Sequence, residues 1–123
     1  MVESFPSQMR RTYRLKSRVD FQDVYSKGRS VANRAAVLYV LSRVQLNPSR
    51  VGFAAGKKLG KAVLRNRIKR RIRESVRLLW HRVKPGYLLI VIARQAAKDM
   101  PFPQLQAKIL ELFEKAALLR AEG

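Results

Sequence analysis

Residues 57–77 concentrate the groups in this sequence that could do chemistry: Lys57, Lys58, Lys61, Arg65, Asn66, Arg67, Lys69, Arg70, Arg71, Arg73 and Arg77. Between Lys57 and Lys98 the only acid is Glu74. Arginine presents a planar fork of N–H donors and lysine a compact positive charge, and both match phosphate oxygens. A helix face that merely meets water usually sets Glu four residues ahead of Lys or Arg, for a few tenths of a kcal/mol per pair. This segment instead repeats like charges at spacings of three and four, which penalises the helix on its own. A polyanion from outside the chain would remove that penalty.

Other chemistries fit these residues poorly. Gly56-Lys57-Lys58-Leu59-Gly60-Lys61-Ala62 is one residue short of a G-x-x-x-x-G-K-[ST] loop, and Ala62 stands where a metal-binding hydroxyl is required. The glycines still allow backbone N–H groups to approach phosphate oxygens closely. Cysteine is absent, which rules out disulfides, thiolate nucleophiles and cysteine-held zinc together. His81, the single histidine, follows the single tryptophan, Trp80, with no obvious co-ligand; packing or helix-dipole complementation suits it. Asp20 with Asp23, and Glu111 with Glu114, are pairs three residues apart on expected helices. Such pairs can hold Mg²⁺ or move protons, but the first pair opens a helix, where acids are favoured anyway. No catalytic cluster and no metal-ligating set is expected.

The whole chain has the same bias. Its 123 residues carry 27 Lys plus Arg against 8 Asp plus Glu, a formal charge of +19, yet 47% of them are hydrophobic. That combination describes one folded domain with a real core and a surface built for a polyanion. A single RNA-binding domain is expected over residues 10–119, with a flexible tail at 1–9 and a short tail at 120–123. The first thirty residues hold no continuous apolar stretch, and the longest strongly apolar run, Tyr87–Ala93, is far too short to span a bilayer. A cytoplasmic protein without a membrane partner is the simplest expectation.

The elements that must carry these groups follow from the patterning. Arg10, Arg11, Arg14, Lys16 and Arg18 form a basic segment, and Ser17 with Asp20 makes an S-x-x-D cap for a helix starting near Arg18. Phe21, Val24 and Tyr25 share one face of that helix, and Gly28 stops it. Strands are predicted at Ser30–Asn33, Ala35–Leu41 and Val51–Ala55, with a turn at Asn47-Pro48-Ser49. A long helix is predicted from Lys61 to Val83, ended by Pro85-Gly86. Leu64, Ile68, Ile72, Val76, Leu79 and Val83 run along it as one apolar stripe, with Arg65 and Arg67 read as lying off it. Tyr87–Ala93 is apolar on both faces, as a central strand should be. Leu105, Ile109, Leu112, Phe113 and Ala116 give the spacing of a last helix. The fold class is α+β: helix, three strands, helix, strand, helix.

The stretch VGFAAGKKLGKAVLRNRIKRRIRE, residues 51–74, with Arg65-Asn66-Arg67 at its centre, closely resembles the protein subunit of bacterial ribonuclease P. Asp20–Tyr25, Ser30–Arg34 and Ala93-Arg94 match that family too, so the resemblance runs from about Arg14 to Leu118. Ala54-Ala55-Gly56 departs from it, standing where the family commonly has a Ser-containing segment. The resemblance implies an α-β-β-β-α-β-α sandwich: a four-stranded mixed sheet packed against helices, with a β-α-β crossover carrying the basic helix. It implies a protein that assists a catalytic RNA in removing the 5′ leader from precursor tRNA. No cofactor of its own and no small-molecule substrate are implied; Mg²⁺ would belong to the ribonucleoprotein. The Arg-Asn-Arg helix would contact the catalytic RNA, and a cleft near Phe21, Tyr25, Tyr39 and Arg94 would hold the single-stranded leader. Spacing alone leaves other readings open: Phe21 and Tyr25 as core, Tyr39 as cross-strand packing, Asn66 as a solvated polar residue. A general basic RNA binder, ribosomal or nucleoid, is the rival function, but it does not explain the Arg-Asn-Arg block.

Overall fold

The computed structural model describes residues 13–15 and 17–121. The expected N-terminal tail at 1–9, and Arg10, Arg11 and Lys16 of the basic segment, lie outside the described residues. Helix α1 (Arg18–Lys27) begins as its sequence predicts, with the Ser17 hydroxyl oxygen accepting from the Asp20 N–H at 3.3 Å. It ends for a reason the sequence does not show. Gly28 is in extended backbone rather than the left-handed cap, and a Cβ there would lie 2.6 Å from the Val24 carbonyl oxygen and 2.8 Å from that of Val40. Glycine is needed because a strand passes close by.

Strands β1 (Arg29–Ala32), β2 (Ala36–Ser42), β3 (Arg50–Ala55) and β4 (Tyr87–Ala93) form one sheet in the order β1-β2-β4-β3. The first three lie within one residue of their predicted bounds, and β4 matches its own. Pairing is antiparallel except between β3 and β4, which run parallel with Ala55 opposite Ala93. Helix α2 (Ala62–Leu79) makes the crossover between those parallel neighbours. Beyond β3, Arg14 pairs with Val51, and the Leu15 N–H donates to the Val51 carbonyl at 3.0 Å, so the segment before α1 lines the sheet edge.

The period of two along each strand sorts the side chains onto two unequal cores. Ala36, Leu38 and Val40 of β2 and Leu89, Val91 and Ala93 of β4 face α2 and helix α3 (Phe102–Lys115). Ile68, Ile72, Val76 and Leu79 descend from α2 onto that face, and Leu105, Ile109, Leu112 and Phe113 from α3. Burying such a side chain contributes about 1.5–3 kcal/mol, so this layer dominates stability and holds α2 fast. On the other face, Leu88 and Ile90 pack with Val24 of α1 and Leu15, while Phe21, Tyr39, Leu41 and Ile92 are only half-buried. A single short helix covers that side incompletely.

Three departures from the sequence reading concern ends and turns. The long helix stops at Leu79, and Trp80–Arg82 tightens into a 3₁₀ turn. Val83, expected to be helical, is extended and bridges to Leu119, although it is buried as the stripe predicts. A further 3₁₀ turn, Gln95–Asp99, fills what reads as loop. The expected C-terminal tail is tied down at its first residue: the Arg120 N–H donates to the Arg82 carbonyl at 2.7 Å.

Candidate nucleic-acid interface

Successive residues of an α-helix point about 100° apart, so Arg65 and Arg67 project roughly 200° from each other and cannot both leave the apolar stripe on the same side. Arg65 is half-buried, and its Nε donates to the Gly60 carbonyl at 3.1 Å. Arg65 thereby braces the loop before the helix. Gly60 has φ 132°, and a Cβ on it would come within 2.8 Å of the Leu64 Cδ2, so only glycine fits there. Asn66, Arg67 and Arg70 are exposed. Lys57 and Lys58 project from an exposed 3₁₀ turn, and Lys61 caps α2 without a side-chain hydrogen bond. No acid lies in the first turn of α2. Three lysines thus stand near the positive end of a helix dipole, an arrangement that anions relieve.

Further along α2 the cations diverge. Arg71 is half-buried and donates through Nη1 to the Ala97 carbonyl at 3.2 Å and through Nη2 to the Met100 carbonyl. Arg77 Nε donates to Glu74 Oε1 at 2.9 Å, and that hydrogen bond chiefly holds the Glu74 carboxyl below its ordinary pKa. Lys69 and Arg73 instead face the β3 edge, where they meet Arg14, Phe21, Gly52 and Phe53 around a cavity of about 170 Å³. The Arg73 guanidinium lies 5.7 Å from the centroid of the Phe53 ring, and its Nε is buried without an acceptor among the described residues. Burial lowers the Arg73 pKa, and the neighbouring cations Arg14 and Arg70 lower it further. Buried donors are normally satisfied; here three positive side chains line a cavity with no acid among its lining residues. Arg14 and Phe53 were missed as site residues. Only the pairing of Arg14 with Val51, 37 positions away, reveals Arg14's place.

Across the sheet from α3, Phe21, Tyr25 and Tyr39 come together. Ring centroids of Phe21 and Tyr25 are 6.4 Å apart, and those of Tyr25 and Tyr39 are 5.3 Å apart, edge to face. Tyr25 is 43% exposed. Its hydroxyl pKa is raised by partial burial first and by Tyr39 second. Phe21 lies directly over Gly52, where a Cβ would fall 2.7 Å from the ring's Cζ. Arg94 is not part of this cluster. Tyr39 sits opposite Ile90, and Arg94 is four positions further, about 13 Å along the same face at 3.3 Å per residue. There its N–H donates to the Ala35 carbonyl at 2.9 Å and its Nη1 to the Asn33 carbonyl at 3.1 Å. Asn33, Arg34, Arg94, Gln95 and Ala96 line a shallow depression of about 430 Å³. Asn33 and Arg34 stand in a matched stretch of sequence but were not singled out as site residues.

Among the described residues no three His, Asp or Glu side chains converge as a metal-ligating group, and no helix is long and apolar enough to cross a membrane. The arrangement offers guanidinium and ammonium donors on α2 and half-exposed rings under α1, and Lys69 and Arg73 meet Phe21 at the cavity by the β3 edge. Comparison with known proteins agrees with it. The profile of the Ribonuclease P family matches residues 9–117. The ribonuclease P protein component of Symbiobacterium thermophilum is 67% identical over 115 residues, covering 94% of this chain and all of that protein. The solved structure of the Staphylococcus aureus RNase P protein superposes with a TM-score of 0.80 at 42% identity, covering 88% of this chain and 98% of the other. That of Thermotoga maritima gives 0.75 at 29% identity, over 89% and 98%. With a profile matched across nearly its whole length and a near-complete relative at this identity, the chain belongs to the ribonuclease P protein family.

Proposed function

We infer that this protein binds the catalytic RNA of ribonuclease P through α2 and the single-stranded 5′ leader of precursor tRNA through the cleft under α1. The observation that carries this reading is the cavity at the β3 edge, whose lining includes both Phe21 of the cleft and Lys69 and Arg73 of the basic helix. The two surfaces are therefore one. Exposed Asn66, Arg67 and Arg70, with Lys57, Lys58 and Lys61 at the helix start, are the groups free to meet RNA phosphates. Bases of the leader stack on Phe21, Tyr25 and Tyr39, and Arg94 meets the strand further along. Hydrolysis falls to the RNA and its Mg²⁺, and the protein extends substrate recognition and relieves phosphate repulsion in a cytoplasmic ribonucleoprotein.

The test is cleavage of precursor tRNA with and without bacterial ribonuclease P RNA. Purified protein alone leaves the precursor intact in Mg²⁺. With the RNA, mature 5′ ends form at lower Mg²⁺ than the RNA needs by itself. Cleavage by RNA-free protein, abolished by replacing one carboxylate, would overturn the assignment.

A further inference from the structure

We propose that Arg71 is a positioning residue, which holds the turn after β4 so that Arg94 faces the leader, although it lies within the basic run of α2. It rests on the reading of Arg94 as a leader contact. At about 100° per residue Arg71 falls some 100° from exposed Arg70, on the flank of α2 that faces the turn Gln95–Asp99. Both of its terminal nitrogens are taken, one by the Ala97 carbonyl at 3.2 Å and the other by the Met100 carbonyl. Ala97 is fully buried and Met100 nearly so.

The hydrogen bonds continue from there to Arg94. The Ala97 N–H donates to the Arg94 carbonyl at 3.0 Å, and Arg94 Nη1 donates to the Asn33 carbonyl at 3.1 Å. Asn33 is itself fixed: its Oδ1 accepts from the Ala35 N–H at 2.9 Å, and its Nδ2 donates to the Lys108 carbonyl at 2.8 Å. Arg94 is thus held at its backbone by a turn that Arg71 straps down, and at its guanidinium by Asn33; among the described residues its Nε and Nη2 have no other partner and are left for an anion. The planar guanidinium meets the two carbonyls with two separate nitrogens held in one rigid fork. Lysine carries the same charge on one nitrogen at the end of a flexible stem and does not reproduce that fork.

That difference makes the proposal testable in the reconstituted ribonucleoprotein with Arg71→Ala, Arg71→Lys and Arg94→Ala. Affinity is measured for precursor tRNA carrying a long leader and a one-nucleotide leader, together with the salt dependence of catalytic-RNA binding and amide exchange at Ala97. Both Arg71 variants should weaken long-leader binding about as much as Arg94→Ala, spare the one-nucleotide precursor, accelerate exchange at Ala97 and leave the salt slope unchanged. If Arg71→Ala fails to fold, Arg71→Lys carries the test. Wild-type leader binding by Arg71→Lys would overturn the proposal, as would a slope reduced by about 0.7–0.9, the signature of one lost phosphate contact. Weakening by Arg94→Ala with neutral Arg71 variants also overturns it. No effect of Arg94→Ala on long leaders would instead remove the leader contact on which it stands.

Discussion

Phe21→Ala separates stacking from packing, because the ring serves two surfaces. It is half-buried against Leu15, Val24, Leu88 and Ile90, and lies over Gly52 with no room for a Cβ beneath it. Truncating a fully buried phenylalanine costs about 3–5 kcal/mol, so a half-buried one should cost about 1.5–2.5 kcal/mol. At roughly 4 °C per kcal/mol, the melting temperature should fall by about 6–10 °C. A domain stabilised by about 5–15 kcal/mol tolerates that and stays folded at 25 °C. The exposed side of the ring should contribute about 1–3 kcal/mol to binding one stacked base, or roughly 5- to 150-fold in affinity. The assay is equilibrium binding at fixed salt of two precursor tRNAs, one with several leader nucleotides and one with a single nucleotide, to the reconstituted ribonucleoprotein. The loss should appear with the long leader and nearly vanish with the short one. Gly52→Ala provides a second route, since Gly52 is not a positive-φ glycine and its methyl acts only by lifting the ring. It should cost about 1–3 kcal/mol of stability through overpacking and show the same dependence on leader length. Equal losses with both leaders, or a melting drop above about 15 °C with no leader dependence, would refute stacking and leave Phe21 a core residue.

The arginines of the motif should separate by role. Arg67→Ala should lower the slope of log affinity against log salt for the catalytic RNA by about 0.7–0.9, with an unchanged or slightly raised melting temperature. Arg65→Ala should also lose about 0.5–1.5 kcal/mol of stability with the Gly60 hydrogen bond; thermal melts and salt titrations of the two variants check both. The wild-type complex should lose about 10³–10⁵ in affinity between 50 and 200 mM salt if about 6–10 phosphates are neutralised, on the calibration for duplex DNA, and a flat plot would contradict phosphate binding. At the end of α3 the Leu118 N–H donates to the Phe113 carbonyl and the Ala117 N–H to that of Glu114, closing the helix with Ala117 at φ 61°. Glycine is favoured at that position, so Ala117→Gly should stabilise the protein by about 1 kcal/mol, read as a higher denaturation midpoint.

What could be read from the sequence alone were patterns that repeat within one or two helical turns or along one strand. The Ser17–Asp20 cap, the stripe from Leu64 to Leu79, the two-sided apolar run of β4 and the Arg-Asn-Arg block each rest on neighbours no more than a few positions apart, where spacing sets which face a residue occupies. The expected order of elements followed from those, while the family came from the resemblance carried by residues 51–74. Tertiary structure alone decided how the cations divide. Arg71 is bound 26 and 29 residues away, at Ala97 and Met100; Arg14 meets Val51 across the sheet edge; Val83 leaves the helix for Leu119. That Phe21 lies over Gly52, 31 positions along the chain, was likewise visible only in the fold. Ten cations in a row look equivalent in sequence because their type and spacing are alike. They differ in the fold because a carbonyl, a carboxylate, a ring or open solvent stands opposite each one, and for Arg71 and Arg73 those partners are set by packing between segments far apart along the chain.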